Sequence, residues 1–535
     1  MKLNQQGLTN QELWENAGYV LPKFDRAEMI KKTTEEPTWV HFGAGNIFRA
    51  FPAMLQQKLL DSGLEDKGII VVEGYDYEII DQMAPFDNLS LLVTLKADGS
   101  TEKTVVASLA EALQADSENQ EAFSRLREIF RAPSLQMVSF TITEKGYSLV
   151  QPNGEFMADV VADFEAGPEK PKSYIGKLAS LCYERYQNGK LSLALVSMDN
   201  CSHNGTKLFE AVQAFAAKWE ANGKVEKGFL GYVENPSKLS FPWSMIDKIT
   251  PRPDEGVKEM LLKDGFENAE GNVTSKNTYI APFVNAEEAE YLVIEDLFPA
   301  GRPALDKVGV IFTTRETVDK VEKMKVCTCL NPLHTALAIY GCLLGYTKIS
   351  DEMKDSELLK LVEVVGYQEG LPVVVDPGIL SPRRFIDEVL QVRFPNPFMP
   401  DTPQRIATDT SQKIPIRFGE TIKAYAVSET LEVRDLKIIP LVLAGWLRYL
   451  LGVDDKGESM AVSPDPMLGE LQEKFSGIKL GETAFDSQLL NPILSNEKFF
   501  GVDLYSVGLA ELVESYLREI LKGPGAVRET WKKYR

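Results

Sequence analysis

Histidine is scarce in this chain. Three occur in 535 residues, at His41, His203 and His334, and cysteine is limited to Cys182, Cys201, Cys327, Cys329 and Cys342. That inventory excludes a His-rich metal centre. Cys327 and Cys329 stand too close together for the usual zinc knuckle, so buried free thiols are expected, with no metal and no disulfide framework. Positive charge is also in deficit: 58 basic residues against 78 acidic ones leave a net charge of −20. A nucleic-acid surface needs a basic stripe to neutralise phosphates, so none is expected. No apolar run reaches the length of a membrane span, and Met1-Lys-Leu-Asn-Gln-Gln-Gly7 lacks the apolar core of a signal peptide. A cytoplasmic protein without membrane contact is the expectation. Internal repeats, low-complexity segments and long flexible linkers are missing too.

What is present begins with Thr38-Trp-Val-His-Phe-Gly-Ala-Gly-Asn-Ile-Phe-Arg49, an apolar strand entering a Gly-x-Gly turn, followed by a helix from Arg49 to Leu60 with Pro52 in its first turn. Strand, glycine turn and helix make a dinucleotide-binding unit, in which glycine lets the backbone approach a pyrophosphate and the helix start supplies positive potential. The third glycine of the usual fingerprint is missing. A second strand, Gly68-Ile-Ile-Val-Val-Glu73, ends in Glu73-Gly-Tyr-Asp76, where such folds place the acid that binds the adenosine ribose. Either acid would repel a 2′-phosphate, which favours NAD over NADP. Leu135–Thr143 and Leu191–Met198 read as further buried strands. They deliver Glu144-Lys145-Gly-Tyr147 and Asp199-Asn200 at their carboxyl ends, where open α/β sheets bind ligands. An amphipathic helix is expected from Thr206 to Trp219. Gly43, Gly45, Asn46, Ile47, Arg49, Glu73, Asp76 and Glu144 are therefore the candidate cofactor contacts.

Trp243-Ser-Met-Ile-Asp247 sets one acid in an apolar segment, and Tyr291–Asp296 is the last credible strand. The expected division is a Rossmann-type NAD-binding domain over 1–300 and a mainly helical substrate and catalytic domain over 301–535, an α/β fold with a largely α-helical C-terminal half. At the head of that half, Glu322-Lys-Met-Lys325-Val-Cys-Thr-Cys-Leu-Asn331-Pro-Leu-His334-Thr335 crowds a lysine, an amide and an imidazole before a long apolar run. Asn331-Pro332 reads as a helix start, with Asn331 as the cap. His334, three residues on, shares its face. A continuous helix would turn Lys325 about 240° away from that face, so the backbone must break or widen into a π-bulge if the three converge. Further on, Arg393-Phe-Pro-Asn-Pro397 feeds closely spaced cations that include Arg405 and Lys413, suited to clamping an anion or sugar hydroxyls.

Together these segments resemble the polyol-specific long-chain dehydrogenase/reductase family, which includes mannitol dehydrogenases and hexuronate reductases. The resemblance runs from Phe42-Gly-Ala-Gly45 through Thr143-Glu-Lys-Gly-Tyr147, Asp199-Asn200 and Asp247-x-Ile-Thr-Pro251 to the Glu322/Lys325/Asn331/His334 block, Arg393-Phe-x-Asn-Pro397, Arg405 and Lys413. It implies a catalytic lysine at Lys325 and paired amides at Asn200 and Asn331 that hold the reacting oxygen. His334 would position that oxygen, Asp247 would be an acid near the lysine, and Arg405 and Lys413 would be substrate-side cations. Two features depart from the family: Lys325 and Asn331 are six apart where five is common, and Ile47-Phe48-Arg49-Ala50-Phe51 stands where many members have histidines.

The resemblance further implies metal-independent, NAD-dependent oxidation and reduction of a secondary alcohol. The base must be a lysine brought below its ordinary pKa of about 10.4 by burial or by a neighbouring cation. Lys145, Arg405 and Lys413 could pair with a carboxylate, which points to reduction of D-fructuronate to D-mannonate. Tagaturonate reduction and mannitol 2-dehydrogenase activity are the near alternatives, and a non-catalytic NAD-binding sensor is the alternative of another class. The expected partner is a small sugar acid or polyol, acted on by a monomer or small homo-oligomer.

Overall fold

The computed structural model describes residues 1–534, which fall into two compact units. Met1–Lys96 and Ser100–Asp319 form one, and Lys320 onward forms most of the other. The first therefore extends past residue 300, through the strand Ile311–Thr313 and the start of a helix.

Six parallel strands organise the first unit: β1 (Trp39–Phe42), β2 (Ile69–Glu73), β3 (Leu109–Gln114), β4 (Met137–Phe140), β5 (Leu193–Ser197) and β6 (Leu239–Ser240). Their order in the sheet is β3-β2-β1-β4-β5-β6. This is the doubly wound arrangement, whose strand order reverses between β1 and β4. Every residue of β1, β2, β4 and β5 is buried, as expected of parallel strands covered on both faces. Alternate side chains feed two cores. Val40, Phe42, Ile70 and Val138 pack with Phe123, Leu178 and Val212 of helices on one face. Trp39, Ile69, Val71 and Met137 pack with Phe48, Leu55 and Leu59 on the other.

The helix expected from Arg49 to Leu60 is two helices, α1 (Asn46–Ala50) and α2 (Pro52–Asp61), broken at Phe51 (φ −126°, ψ −71°). Proline has no N–H to continue α1 but suits the first position of a new helix. A later strand than expected, Ile311–Thr313, lies parallel to Tyr291–Glu295, which in turn pairs antiparallel with Ser244–Asp247. A further sheet of Tyr19–Val20, Thr101–Val106, Ser90–Leu95 and Phe283–Glu287 adds Leu92, Val106 and Val284 to the core around α1 and α2. The helix after β5 is α3 (Asn204–Ala221).

In the second unit the helical expectation holds. α4 (Arg315–Met324), which begins in the first unit, runs into a π-helical turn, Lys325–Cys329, and then α5 (Asn331–Leu344) begins. The run Arg315–Leu344 is long and apolar enough to cross a membrane by length and composition, yet 72% of its most apolar window is buried in the protein. α6 (Ile438–Tyr449) is buried at every position. The Glu369 carboxylate accepts the N–H groups of Lys437, Ile438 and Ile439 at its head. α7 (Ala510–Ile520) packs on α6.

Glu352 lies under α5 with 0% exposure, close against Gly341, where a Cβ would meet its Oε1 at 2.1 Å. Neither of its oxygens has a hydrogen-bond partner. Burial, reinforced by the charge of Asp355, pushes its carboxyl up to about 9. The folded state therefore holds a proton that the unfolded chain releases above about pH 4.5, so wild-type stability declines as pH rises from 4.5 towards 9. Glu352→Gln, which cannot ionise, should match wild type near pH 5 and exceed it by on the order of 2–4 kcal/mol at pH 8. Urea unfolding at the two pH values measures the gap, and a gap independent of pH would show that Glu352 is charged in the fold.

Candidate active site

The crevice at the sheet's reversal is built by glycine and by carboxylates. Gly43 follows β1 at φ +106°, and a Cβ there would sit 2.2 Å from the Thr141 carbonyl oxygen beyond β4. Only glycine lets the two strand-end loops approach so closely. Beneath it the buried imidazole of His41 bonds the Ser139 and Thr141 hydroxyls at 2.6 and 2.8 Å, and burial holds it neutral, down to about 3. Gly45 is extended, with nothing within 4 Å of a Cβ position, and α1 starts at Asn46. The turn fits a pyrophosphate: bare backbone backed by a helix start. Ile47 is half-buried on α1.

Arg49, expected among the cofactor contacts, is only 2% exposed. Its guanidinium donates to the Ala281 carbonyl at 2.7 Å and to Asn46 Oδ1 at 2.9 Å, and burial lowers it to about 10. This arginine ties α1 to the strand beginning at Phe283 instead of facing solvent, and it occupies the Asn46 oxygen as well.

Both acids after β2 are also engaged. Glu73 accepts the Ala44 N–H at 3.1 Å on one oxygen, and the Gly74 and Tyr75 N–H groups at 3.0 and 3.1 Å on the other. It thus braces the glycine turn; burial raises its carboxyl, and these bonds oppose the rise. Asp76 is buried and accepts the Thr274 hydroxyl at 2.6 Å. Thr274 lies in the loop of a hairpin, Asn272–Val273 with Tyr279–Ile280. The next residue, Ser275, bonds Glu78 through its N–H at 3.2 Å and through its hydroxyl.

Past β4, Thr143–Gly146 is one short helical turn on which Glu144 and Lys145 are exposed, Glu144 being ion-paired with Lys207. Asp199, after β5, accepts the Ile142 and Thr143 N–H groups at 2.9 Å each and the Tyr147 hydroxyl at 2.5 Å. It therefore stitches the ends of β4 and β5 together and leaves Asn200 exposed beside it. Asp247 is buried on its strand, opposite Tyr291. The Asn204 carboxamide donates to the Ser197, Asp199 and Ser244 carbonyls at 3.3, 3.0 and 3.0 Å, joining the Asn200 loop to the Asp247 strand. Neither Asp199 nor Asn204 was among the sequence-derived site residues; an acid and an amide flanking a strand-end loop were the available signal.

In the second unit the π-helical turn supplies the widening that the Lys325–Asn331 spacing demands. The Leu330 N–H bonds the Lys325 carbonyl, five residues back, at 3.1 Å, and Leu330 then leaves the helix at φ −131°. Asn331 is the first residue of α5, with Leu330 and not Asn331 as the cap. Lys325 is 4% exposed.

His334 lies beside the Phe394 ring, centroids 4.9 Å apart, with Nε2 3.6 Å from Asp401 Oδ2. That separation is past hydrogen bonding, so Nε2 is buried without a partner. Burial lowers the imidazole to about 4; Asp401 opposes this and Arg417, Arg405 and Arg393 add to it. The ring is neutral at ordinary pH. Arg405 pairs with Asp401. Lys413 donates to the Ile406 and Thr408 carbonyls at 3.0 and 2.5 Å, and burial, with Arg417 and Arg405, brings it down to about 8. Arg417 reaches the Thr335 hydroxyl and the Asn331 carbonyl, fixing the start of α5. Arg393 and Arg417, which belong to the segment read as a cation cluster but were assigned no role there, both lie in π-helical turns, Val389–Arg393 and Pro415–Gly419. Such turns have no clear sequence signature. Among the described residues no cluster of three or more His, Cys, Asp or Glu is arranged to hold a metal ion.

Comparison with known proteins agrees with this architecture. The mannitol dehydrogenase Rossmann domain matches residues 37–307 and the mannitol dehydrogenase C-terminal domain matches residues 317–521. D-mannonate oxidoreductase of Thermotoga maritima is 54% identical over 533 residues, covering 99% of this chain and 98% of that protein. Among solved structures, a substrate-free D-sorbitol dehydrogenase aligns with a TM-score of 0.80 at 26% identity, covering 98% of this chain and 99% of that one. Mannitol 2-dehydrogenase of Pseudomonas fluorescens, solved with NAD and D-mannitol, aligns with a TM-score of 0.68 at 27% identity, covering 100% and 99%. The chain belongs to the mannitol dehydrogenase family of oxidoreductases.

Proposed function

We propose that this protein is an NAD-dependent oxidoreductase that reduces D-fructuronate to D-mannonate. The observation that carries the substrate class is the set of cations around His334. Arg393, Arg405 and Arg417 all act on its imidazole, and Lys413 is influenced by two of them. A keto-sugar acid has one carboxylate to answer such a cluster, whereas a neutral ketose has none. The full-length likeness to a protein named for mannonate supports the same choice.

The residues fit the dinucleotide. Gly43, Gly45, Asn46 and Ile47 line the pyrophosphate turn, Glu73 and Asp76 stand at the ribose end and disfavour a 2′-phosphate, and Glu144 sits at the β4 end. When bound, the reduced nicotinamide supplies the hydride that the carbonyl carbon accepts. The Lys325 ammonium gives its proton to the carbonyl oxygen. The carboxamides of Asn200 and Asn331 donate to that oxygen as it gains charge, worth roughly 3–4 kcal/mol per donor in comparable oxyanion sites. Neutral His334 orients the oxygen by a hydrogen bond, and Asp247 is the acid assigned near the lysine. Lys145, Arg405 and Lys413 hold the carboxylate. The enzyme works on a small molecule in the cytoplasm, as a monomer or small homo-oligomer.

NADH absorbance with D-fructuronate, D-tagaturonate, D-fructose and mannitol 1-phosphate tests the reading. D-fructuronate should give the highest kcat/KM, and NADH should be favoured over NADPH. Tight NADH binding without oxidation by any of the four would identify a sensor. Lys413→Met should raise KM for the sugar acid about 10- to 100-fold while KM for NADH holds, the order expected for one charge-assisted contact. Wild type should lose affinity for the sugar acid above about pH 8, where Lys413 sheds its proton, and Lys413→Met should not. An equal fall on D-fructose would remove the carboxylate assignment.

A further inference from the structure

We propose that His203 is the positioning residue for Asn200, a role that rests on the reading of Asn200 as a donor to the reacting oxygen. The loop Asp199–His203 is held firmly at its two ends. Asp199 is fixed by two backbone N–H groups and the Tyr147 hydroxyl, and Asn204 by the ends of β5 and of the Ser244 strand. Between them Asn200, Cys201 and Ser202 belong to no helix or strand. The Cys201 N–H bonds the Asp199 carbonyl at 2.9 Å, and the chain then enters α3 through His203 in the left-handed region, at φ 52° and ψ 41°.

Histidine is among the non-glycine residues that tolerate this conformation, but the backbone does not require it. Glycine or asparagine adopts this conformation more readily, and the His203 side chain makes no capping bond to α3. With 53% of the side chain exposed, burial does not explain it either. What the side chain does is stack. Its ring lies 4.2 Å from that of Trp243, at 22° to it, and Nε2 is 3.4 Å from Asp319 Oδ1. Trp243 is itself fixed. Its indole N–H donates to the Thr206 hydroxyl at 2.9 Å and its backbone N–H to Glu295 at 3.1 Å, while Arg315, bonded to the same Glu295 oxygen, lies 5.1 Å from the ring. The imidazole thus locks the left-handed entry against a braced indole and a carboxylate, three residues after the carboxamide that must point at substrate.

Four single variants and a double variant test this in the NADH-coupled reduction of whichever keto-sugar acid the substrate panel selects. His203→Ala should lower kcat about 10- to 100-fold with NADH affinity within twofold of wild type, and should raise Trp243 emission as the stacked ring is removed. His203→Asn keeps a left-handed backbone but loses the stack, so it should be as slow as His203→Ala. His203→Phe keeps the stack and should recover part of the rate. Asn200→Ala/His203→Ala should be no slower than Asn200→Ala alone. Wild-type kcat in His203→Asn, or additive losses in the double variant, overturns the positioning role while leaving Asn200 standing. Wild-type kcat in Asn200→Ala overturns the Asn200 reading, and this inference falls with it.

Discussion

The second unit depends on one hydrogen bond with the wrong spacing for an α-helix. The Leu330 N–H reaches the Lys325 carbonyl across five residues instead of four, and the π-helical turn it closes lies between Lys325 and the helix that starts at Asn331. Such turns are rare, and here they recur at Val364–Gly370, Val389–Arg393 and Pro415–Gly419. Three of the four carry a cationic candidate of the site: Lys325, Arg393 and Arg417. The turn at Lys325–Cys329 packs on those at Val364–Gly370 and Pro415–Gly419, and Arg417 of the latter bonds the start of α5 directly. α5 packs against these three turns, and α6 against the one at Val364–Gly370.

The first unit solves a different problem, that of loops at the carboxyl ends of parallel strands, where backbone N–H groups run out of partners. Carboxylates fill the need. Glu73 holds the turn after β1 together with its own loop after β2, and Asp199 holds the loop after β4. Glu73 is buried and Asp199 half-buried, and burial raises each carboxyl against the pull of the N–H bonds. These acids shape the crevice from beneath, with Asn200 exposed beside Asp199.

Much of this was legible in the sequence because parallel strands buried on both faces are nearly uninterrupted apolar runs. β1, β2, β4 and β5 each lie within the segment expected, and the π-widening was implied by the positions of Lys325, Asn331 and His334. What escaped was decided by partners distant along the chain. Arg49 was expected among the cofactor contacts, but its guanidinium donates to Asn46 and to Ala281, 232 residues away. Asn331-Pro332 looked like a cap and first turn, yet the preceding π-turn moved the cap to Leu330. Phe51 divides a helix that periodicity alone would continue. Ile311–Thr313 is too short, and only half-buried, to show as a strand by composition. Arg393 and Arg417 stood in the segment read as a cation cluster but were assigned no role, because the turns that hold them have no sequence mark.

The central claim is that the amine at position 325 delivers the proton to the carbonyl oxygen. Chemical rescue of Lys325→Ala measures this directly, since an added primary amine can take the place of the missing side chain. The account predicts that the variant binds NADH as wild type does, turns over at least a thousandfold more slowly, and regains rate in a saturable way with methylammonium or ethylammonium, the gain tracking amine acidity. Near-wild-type turnover in Lys325→Ala, or a variant that binds NADH normally and stays inactive at every amine concentration, would contradict it.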